Sequence, residues 1–289
     1  MKSIKQFLSP LVQQTLSPKT VQALRFQSWY VSSYCPRLIS SRTTKRTAEV
    51  RPFGKVQSRL GDQLQNVNLF APTLTCRVMA KWGSDKAKNS YTPLYSALFK
   101  RRFDEQIRIF ELGLGTNNPE MLSNMGVFGA PGASLRGWRQ LFPHALVYGA
   151  DIDREILFEE DRIRTLYCDQ LDQSSIRELW SNEGLKEGAD IIIEDGLHAF
   201  EANVSFLEGS LHHLRPGGIY VVEDIGWDCF DKWYERIEGV YLDRYPTYEF
   251  AFAVLANHGH NNLLVIRRAS GEGATQPLMG AEGQSTRLG

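Results

Sequence analysis

Acidic residues and a histidine follow two of the most apolar stretches of the chain. The run "IIIEDGLH" ends in Glu194, Asp195 and His198, and "VVEDI" contains Glu223 and Asp224. Charges next to a buried strand are costly unless they are paired or bind a metal. Carboxylate oxygens suit a hard cation such as Mg²⁺, and histidine, with an unperturbed pKa of about 6.5, suits proton removal near neutrality. The alternative is a solvated strand end with a helix cap.

The carboxylates of Asp195, Glu223 and Asp224 are expected to meet at one point. They follow two apolar runs, and neighbouring strands of a sheet lie about 4.8 Å apart. Three carboxylates without a basic neighbour would repel one another, and a divalent cation removes that repulsion. The spacing therefore predicts a Mg²⁺ site, with His198 one helical turn from Asp195 as the general base.

Glycines follow an earlier apolar run. In "ELGLG", Gly113 and Gly115 would let the backbone approach a ligand closely after the first strand. A dinucleotide fingerprint would have a third glycine at residue 118, where this chain has Asn118. A structural tight turn is therefore the alternative to a binding turn.

Two further strand ends carry polar side chains. In "GADID", Asp151 is the better placed candidate for holding a ribose, with Asp153 two residues further on. In "YCDQLD", Asp169 and Gln170 are placed to reach an adenine edge. The alternatives are a helix cap or loop charge for the aspartates and a plain strand-to-helix turn for the second motif.

The elements that must position these residues alternate between strands and helices. Runs that are apolar on both faces suit parallel strands between helix layers, which predicts a doubly wound, mostly parallel α/β sheet. Two late runs, 248–258 and 261–268, flank a tight turn at Gly259 and predict an antiparallel hairpin at the sheet edge. The other predicted strands are 107–113, 145–152, 164–169, 189–195 and 218–225, and the predicted helices include 134–141, 173–180 and 203–214.

The ends of the chain differ from this pattern. Residues 1–79 are predicted to be a basic, partly helical extension, with no acidic residue before Glu49. An organelle transit peptide, an arm that docks on a membrane surface or partner, and a packed helical extension are all open readings. Residues 80–268 form the predicted α/β domain. The Gly-, Ser- and Thr-rich residues 269–289 are predicted to be disordered.

The composition excludes several classes of protein. The 33 basic and 33 acidic residues cancel, which argues against a nucleic-acid partner. Four scattered cysteines without a CxxC motif indicate free thiols of a reducing compartment. No apolar run approaches the roughly 20 residues of a membrane span. We therefore expect a cytoplasmic protein, with organelle targeting or peripheral membrane attachment through the N-terminal arm as alternatives.

Taken together, these motifs resemble a family. "ELGLG", "GADID", "CDQ", "EDGLH" and "RPGGIYVVEDI" are similar to class I S-adenosylmethionine-dependent methyltransferases with a Rossmann-like fold. "WGSDKAKNSYTPLYSALF" and "GASLRGWRQLFP" are similar, more narrowly, to the Mg-dependent sugar O-methyltransferases of the macrolide type, which act on mycinamicin and tylosin deoxysugars. The resemblance covers about residues 80–268.

The resemblance implies a reaction, the transfer of a methyl group from S-adenosylmethionine to a sugar hydroxyl of a glycosylated metabolite or glycan. It also implies a role for each matching residue. The implied roles are the amino-acid end of the cofactor for Glu111, Gly113 and Gly115, its ribose for Asp151, its adenine for Asp169 and Gln170, a closing segment for Ser84 and Tyr91, Mg²⁺ for Asp195, Glu223 and Asp224, and the base for His198.

The chain departs from the family where "DDGSH" is replaced by "EDGLH", so that Glu194 and Leu197 stand in place of Asp and Ser. This puts the acceptor in doubt more than the reaction. A catechol or other vicinal diol is the alternative acceptor. A nicotinamide oxidoreductase and a noncatalytic scaffold are the alternatives from other classes, and homo-oligomerisation is left open.

Overall fold

All strands that the structure describes belong to one mixed β-sheet. The computed structural model describes residues 20, 24, 27, 30–38, 46–54, 58–126, 129–255 and 261–271. The strands are β1 (Glu49–Pro52), β2 (Arg108–Leu112), β3 (Leu146–Asp151), β4 (Glu159–Glu160), β5 (Ile163–Tyr167), β6 (Ala189–Glu194), β7 (Leu214–Ile225), β8 (Tyr248–Val254) and β9 (Asn262–Arg268).

Helices cover both faces of the sheet. They are α1 (Arg59–Leu64), α2 (Leu74–Trp82), α3 (Tyr91–Phe99), α4 (Ala133–Leu141), α5 (Gln173–Ser181), α6 (Phe200–Ser210), α7 (Phe230–Arg236), which continues as a π-helical turn (Ile237–Tyr241), and α8 (Leu242–Arg244). Short 3₁₀ turns span Asp85–Ala87, Lys100–Arg102, Arg154–Ile156, Leu211–His213 and Trp227–Cys229. Within the described ranges, no helix is both long enough and apolar enough to cross a bilayer.

The order of the strands is β1-β8-β9-β7-β6-β2-β3-β5-β4. The pairs β6–β7, β2–β6, β2–β3 and β3–β5 are parallel. The chain passes from β2 to β3 and β5 on one side and returns to β6 and β7 on the other, so the strand order reverses between β2 and β6. Ligands of open α/β sheets bind at the carboxyl ends of the strands near such a reversal. The predicted doubly wound, mostly parallel sheet is confirmed.

Alternate residues of the central strands enter two separate cores. On β6, Ile191 and Ile193 pack in one apolar cluster, whereas Ile192 packs in the other. Side chains of a strand point alternately to opposite faces, and both faces of this strand are covered by helices. This explains why residues 191–193 are all isoleucine, while the acidic residues of the strand, Asp190 and Glu194, lie near its two ends.

The predicted antiparallel hairpin is present as β8 and β9. Residues 248–253 of β8 pair with residues 263–268 of β9, and β9 in turn pairs antiparallel with β7. The predicted turn at Gly259 lies outside the described residues. The hairpin does not form the outermost edge, because β1 pairs antiparallel with the far side of β8.

Part of the predicted extension shares the sheet and the core with the α/β domain. Strand β1 belongs to the sheet, and Ala48, Leu60 and Leu64 lie in the core cluster that also contains Ile191. The boundary proposed between residues 79 and 80 therefore does not coincide with a break in the core. Residues 269–289 were predicted to be disordered. The structure describes only residues 269–271 of this range, so the prediction lies almost entirely outside the described residues.

Candidate active site

A cavity of about 1090 Å³ lies at the carboxyl ends of the parallel strands. Its walls come from the loops after β2, β3, β5 and β6, from the end of β7 and from the segment after α2. The residues predicted from the sequence that line it are Ser84, Gly113, Gly115, Asp151, Asp169, Gln170, Asp195, His198 and Asp224. The other three predicted residues, Tyr91, Glu111 and Glu223, are fully or almost fully buried beneath it.

The glycine turn after β2 packs directly against the loop after β6. Gly113 has a φ of +89°, and a Cβ atom placed on it would lie 1.9 Å from the carbonyl oxygen of Asp195. A side chain at Gly113 would therefore displace the strand end that carries Asp195. Glycine is required here for the close approach of two protein segments, as well as for any approach of a ligand.

Asp151 holds the glycine turn from the end of β3. Its Oδ2 accepts the N–H of Leu114 at 2.7 Å and its Oδ1 accepts the N–H of Asp153 at 2.9 Å. Burial raises the pKa of Asp151, and these backbone N–H groups oppose that rise. The backbone N–H of Ile152 also bonds this carboxylate, and because a carboxylate can accept about four hydrogen bonds, it can still accept one from a ligand hydroxyl. Gly113, Gly115 and Asp151 are called the glycine end of the cavity below.

Gln170 clamps the loop that leads to His198. Its amide nitrogen donates to Glu194 Oε1 at 3.1 Å, and its Oε1 accepts the N–H of Leu197 at 2.7 Å. Both ends of this side chain therefore contact the β6 strand end. The adenine role predicted for Gln170 stays a prediction, and the clamp is a role that the sequence did not indicate. Asp169, next to it, accepts the N–H of Leu171 at 2.9 Å and lines the cavity.

Asp195, His198 and Asp224 converge at the other end of the cavity and are called the outer trio. The Nε2 atom of His198 lies 3.9 Å from Asp195 Oδ1 and 3.7 Å from Asp224 Oδ2. One ligand atom from each residue falls within 4.8 Å of the others, a spacing that can hold a metal ion. All three side chains keep 20–29% of their surface exposed, so the group faces the cavity.

The backbone is strained at two of these three residues. His198 and Asp224 have φ values of 61° and 56°, in the left-handed region that few non-glycine residues adopt. Asp224 lies where the pairing of β7 with β9 shifts register, between Val222 and Ile225. Strain of this kind persists only where the surrounding structure imposes it, and it is typical of binding and catalytic sites.

Two side chains fix the carboxylate of Asp224. The hydroxyl of Tyr91 donates to Asp224 Oδ1, and the amide of Asn261 donates to the same oxygen at 2.9 Å. The Oδ2 atom is the one that faces His198. Tyr91, predicted to lie in the segment over the cofactor, thus contacts the outer trio from below.

Lys86 contradicts the expectation that the carboxylates have no basic neighbour. Its Nζ atom lies 2.6 Å from Asp195 Oδ2, 2.8 Å from Glu223 Oε1 and 3.5 Å from Glu111 Oε1. Burial disfavours the charged lysine, but these carboxylates outweigh burial and hold the pKa of Lys86 well above its usual value. A buried ammonium therefore neutralises part of the acidic cluster.

Glu223 and Glu111 belong to this inner cluster rather than to the cavity wall. Glu223 accepts a hydrogen bond from the hydroxyl of Tyr95 in addition to that of Lys86. Glu111 accepts hydrogen bonds from Ser134 and from the indole of Trp138, both on α4. Lys86, Tyr95, Glu111 and Glu223 are called the inner cluster. The roles predicted for Glu111 at the cofactor and for Glu223 at the metal stay predictions.

Asp195 connects the inner cluster to the outer trio. Its Oδ2 atom bonds Lys86, while its Oδ1 atom faces His198. The site can therefore present two carboxylates and one imidazole to a cation or a polar ligand. Lys86 lies in "GSDKA", a stretch with no feature that predicts a buried charge, so its role could not be predicted from local pattern.

Curated proteins similar to this chain are sugar O-methyltransferases. Demethylmacrocin O-methyltransferase of Streptomyces fradiae is 36% identical over 159 residues, which are 54% of this chain and 36% of the relative. An 8-demethyl-8-alpha-L-rhamnosyl tetracenomycin-C 2'-O-methyltransferase of Streptomyces olivaceus is 30% identical over 213 residues, 66% of this chain and 53% of the relative. Mycinamicin VI 2''-O-methyltransferase of Micromonospora griseorubida is 35% identical over 142 residues, 48% of this chain and 32% of the relative.

The chain spans about half the length of these relatives or less. No protein-family model matches it. The predicted resemblance to macrolide-type sugar O-methyltransferases is confirmed as a similarity of sequence.

Solved structures with the same fold include MycE, a methyltransferase of the mycinamycin biosynthetic pathway. Its complex with Mg and SAH has a TM-score of 0.52 and 24% identity, over 71% of this chain and 57% of that one. Its complex with Mg, SAH and mycinamycin VI has a TM-score of 0.53 and 22% identity, over the same shares of the two chains. At this identity the likeness concerns the fold, and the predicted class I methyltransferase fold is confirmed.

Proposed function

We propose that this chain is a Mg-dependent O-methyltransferase that transfers a methyl group from S-adenosylmethionine to a sugar hydroxyl of a glycosylated metabolite or glycan. The observation that carries the proposal is that the outer trio and the glycine end line one cavity. A base and two carboxylates thus face the same space as a turn suited to a nucleoside ligand. The names and sequences of the similar relatives support the same reaction.

The glycine end fits S-adenosylmethionine, which supplies a methyl group on a sulfonium when it is bound. Asp151 retains a free acceptor position at the cavity wall and would hold the ribose. Gly113 and Gly115 keep the turn free of side chains, so the backbone itself would border the amino-acid end of the ligand. Asp169 lines the same wall and would face the adenine.

The outer trio fits a divalent cation, because hard cations prefer oxygen ligands. Asp195 Oδ1 and Asp224 Oδ2 are the carboxylate atoms that would hold it. When Mg²⁺ is bound there, it supplies a Lewis acid that lowers the pKa of an adjacent hydroxyl. Glu223 is engaged by Lys86 and Tyr95, so its participation would require a rearrangement of the inner cluster.

His198 acts as the general base in this proposal. Its Nε2 atom faces the two carboxylates of the outer trio and would receive the proton of the acceptor hydroxyl. Gln170 fixes the loop before it through Leu197, so the imidazole is held in place before the acceptor arrives. The rest of the acceleration comes from holding the two reactants in line.

An activity screen tests this function. Wild-type protein with labelled S-adenosylmethionine is incubated with sugar-bearing acceptors, catechols and free vicinal diols, with Mg²⁺ or with EDTA. We expect label in a glycosylated acceptor only when Mg²⁺ is present. Transfer to catechols alone would favour the alternative acceptor. Absence of transfer to every acceptor, with cofactor binding intact, would favour a noncatalytic scaffold.

Three further proposals about this protein are not tested by the screen. They are docking of the basic N-terminal arm on an anionic membrane or a partner protein, formation of homo-oligomers, and a cytoplasmic location. The absence of acidic residues from residues 1–48 supports the first of them.

A further inference from the structure

Residues 30–38 form a helical segment that is packed onto the α/β domain, and they are called the N-terminal helical segment here. All of them are helical except for a turn at residue 34. Tyr30 and Tyr34 pack against the core, and Ser33 and Arg37 are buried. These positions recur at the i, i+3, i+4 and i+7 spacing of one helix face. The segment therefore has a defined inner face.

Arg37 fastens this segment to the loop that carries Lys86. Its guanidinium donates to the carbonyl oxygens of Leu69 and Ala87 and, at 3.3 Å, to the hydroxyl of Ser90. Only 5% of the Arg37 surface is exposed. A charged group buried on several carbonyl acceptors fixes geometry more tightly than a surface contact does. The position of the segment relative to Ala87 is therefore defined.

The other side of the segment faces the cavity. Val31, Ser32 and Pro36 line it, together with Ser84 to Lys86, Lys88 and Asn89. Val31 is an apolar side chain that keeps 49% of its surface exposed. An exposed valine at a cavity wall offers a contact surface to whatever fills the cavity.

A chain of contacts links the segment to the outer trio. It bonds the loop that contains Lys86, and Lys86 bonds Asp195 of the outer trio. The glycine end is built instead by the loops after β2 and β3, at Gly113, Leu114 and Asp151. The outer trio is where an acceptor hydroxyl would be activated, so the adjacent wall would meet the rest of the acceptor.

We propose that the cavity-facing side of the N-terminal helical segment, formed by Val31, Ser32 and Pro36, is the acceptor-binding wall of the active site, with Val31 as a residue that determines acceptor specificity. The proposal rests on the proposed methyltransferase function. It assigns a site role to a segment that lies outside residues 80–268, the range over which the family resemblance extends.

Two tryptophan substitutions on the same segment provide the test. Val31→Trp places an indole at the cavity wall, whereas Leu38→Trp places the same indole seven residues away, at a side chain that is 46% exposed and does not line the cavity. We expect Val31→Trp to lower kcat/KM for the acceptor by about tenfold or more, the size of effect that a changed pocket contact produces. Leu38→Trp should leave kcat/KM unchanged, and both variants should bind SAH as the wild type does.

Thermal unfolding of both tryptophan variants checks that the fold is kept. A third variant, Val31→Ser, adds no bulk but removes the apolar contact, so it should also lower kcat/KM, through a higher KM for the acceptor. Equal kcat/KM for the two tryptophan variants would overturn the proposal. Loss of SAH affinity in Val31→Trp would also overturn it, because the wall would then belong to the cofactor. A wild type that methylates no acceptor would instead reject the function on which the proposal rests.

Discussion

At the scale of single residues, Lys86 decides which carboxylates are left for a cation. Glu111, Asp195 and Glu223 all lie within 3.5 Å of its ammonium group. Removing one partner of a buried charge group leaves the others uncompensated, which typically costs about 3–5 kcal/mol. The inner cluster therefore cannot lose a single member without a large cost, while Asp195 Oδ1 and Asp224 remain directed at His198.

The base is tested by replacing His198. General-base catalysis contributes about 10²–10⁴-fold, so His198→Ala should lower kcat by roughly that factor with SAH affinity nearly unchanged. Because residue 198 has a φ of 61°, alanine also introduces strain, and His198→Asn is the matched variant, since asparagine tolerates this region. Both should lose activity alike. Near-wild-type kcat in saturating Mg²⁺ would mean that His198 is not the base.

Residue types that end strands could be predicted from the sequence, but their partners could not. Asp195, His198 and Asp224 follow apolar runs, and strand ends meet at one edge of a parallel sheet. Lys86 lies 109 positions before its partner Asp195, and Tyr95 lies 128 positions before its partner Glu223. Only the packing of their segment brings these residues together. Local patterns carry no information on such contacts.

At the scale of elements, the end of β6 combines a buried acid with a rigid loop. Glu194 has only 1% of its surface exposed, its Oε1 atom accepts from Gln170, and its Oε2 atom has no hydrogen-bond partner among the described residues. Burial raises the pKa of Glu194 from 4.5 to about 7. The strand end therefore holds a carboxyl group whose charge is unfavourable where it lies.

This acid gives a pH-dependent stability. Between pH 4.5 and 7 the folded state binds more protons at Glu194 than the unfolded state does, so the free energy of unfolding should fall as the pH rises through that range. Glu194→Gln keeps an Oε1 acceptor for Gln170 and removes the titration. By pH 8 it should be more stable than the wild type, by up to about 3 kcal/mol.

Urea unfolding at pH 5 and pH 8 measures this difference. Glu187→Gln, at an exposed position before β6, is the control and should leave the pH dependence of the wild type unchanged. If Glu194→Gln and the wild type lost the same stability between the two pH values, Glu194 would not be the buried acid that we infer.

Most elements were predictable because each is encoded locally. The central strands contain apolar runs, and α4 and α5 lie where their helical patterns predicted them, whereas α6 (Phe200–Ser210) begins and ends earlier than the predicted helix 203–214. Strand β1 was not recognised, and packing of a helical N-terminal extension onto the domain was only one of three open interpretations of residues 1–79. β1 has four residues and is defined by its pairing with β8, nearly two hundred positions later, and the segment is fixed by Arg37 on Leu69 and Ala87.

At the scale of the whole molecule, the strand order separates the two halves of the cavity. The glycine end lies at the ends of β2 and β3, and the outer trio lies at the ends of β6 and β7, on the other side of the point where the strand order reverses. They touch through the backbone, where Gly113 packs on the carbonyl of Asp195. No side chain of the outer trio belongs to the glycine end, so in the proposed reaction we expect cofactor binding to depend little on the charges of the trio.

The last prediction follows from this separation. EDTA should abolish methyl transfer, while calorimetry should show SAH binding with an affinity unchanged within about twofold, since no side chain of the outer trio belongs to the glycine end. Asp224→Asn, which removes a charge but keeps an oxygen for Tyr91 and Asn261, should abolish methyl transfer as EDTA does.

The same calorimetry should show no saturable binding of NAD, because residue 118 is Asn where a dinucleotide fingerprint has its third glycine. Full turnover of metal-free protein would exclude the metal, and saturable NAD binding with no response to SAH would exclude the cofactor assignment.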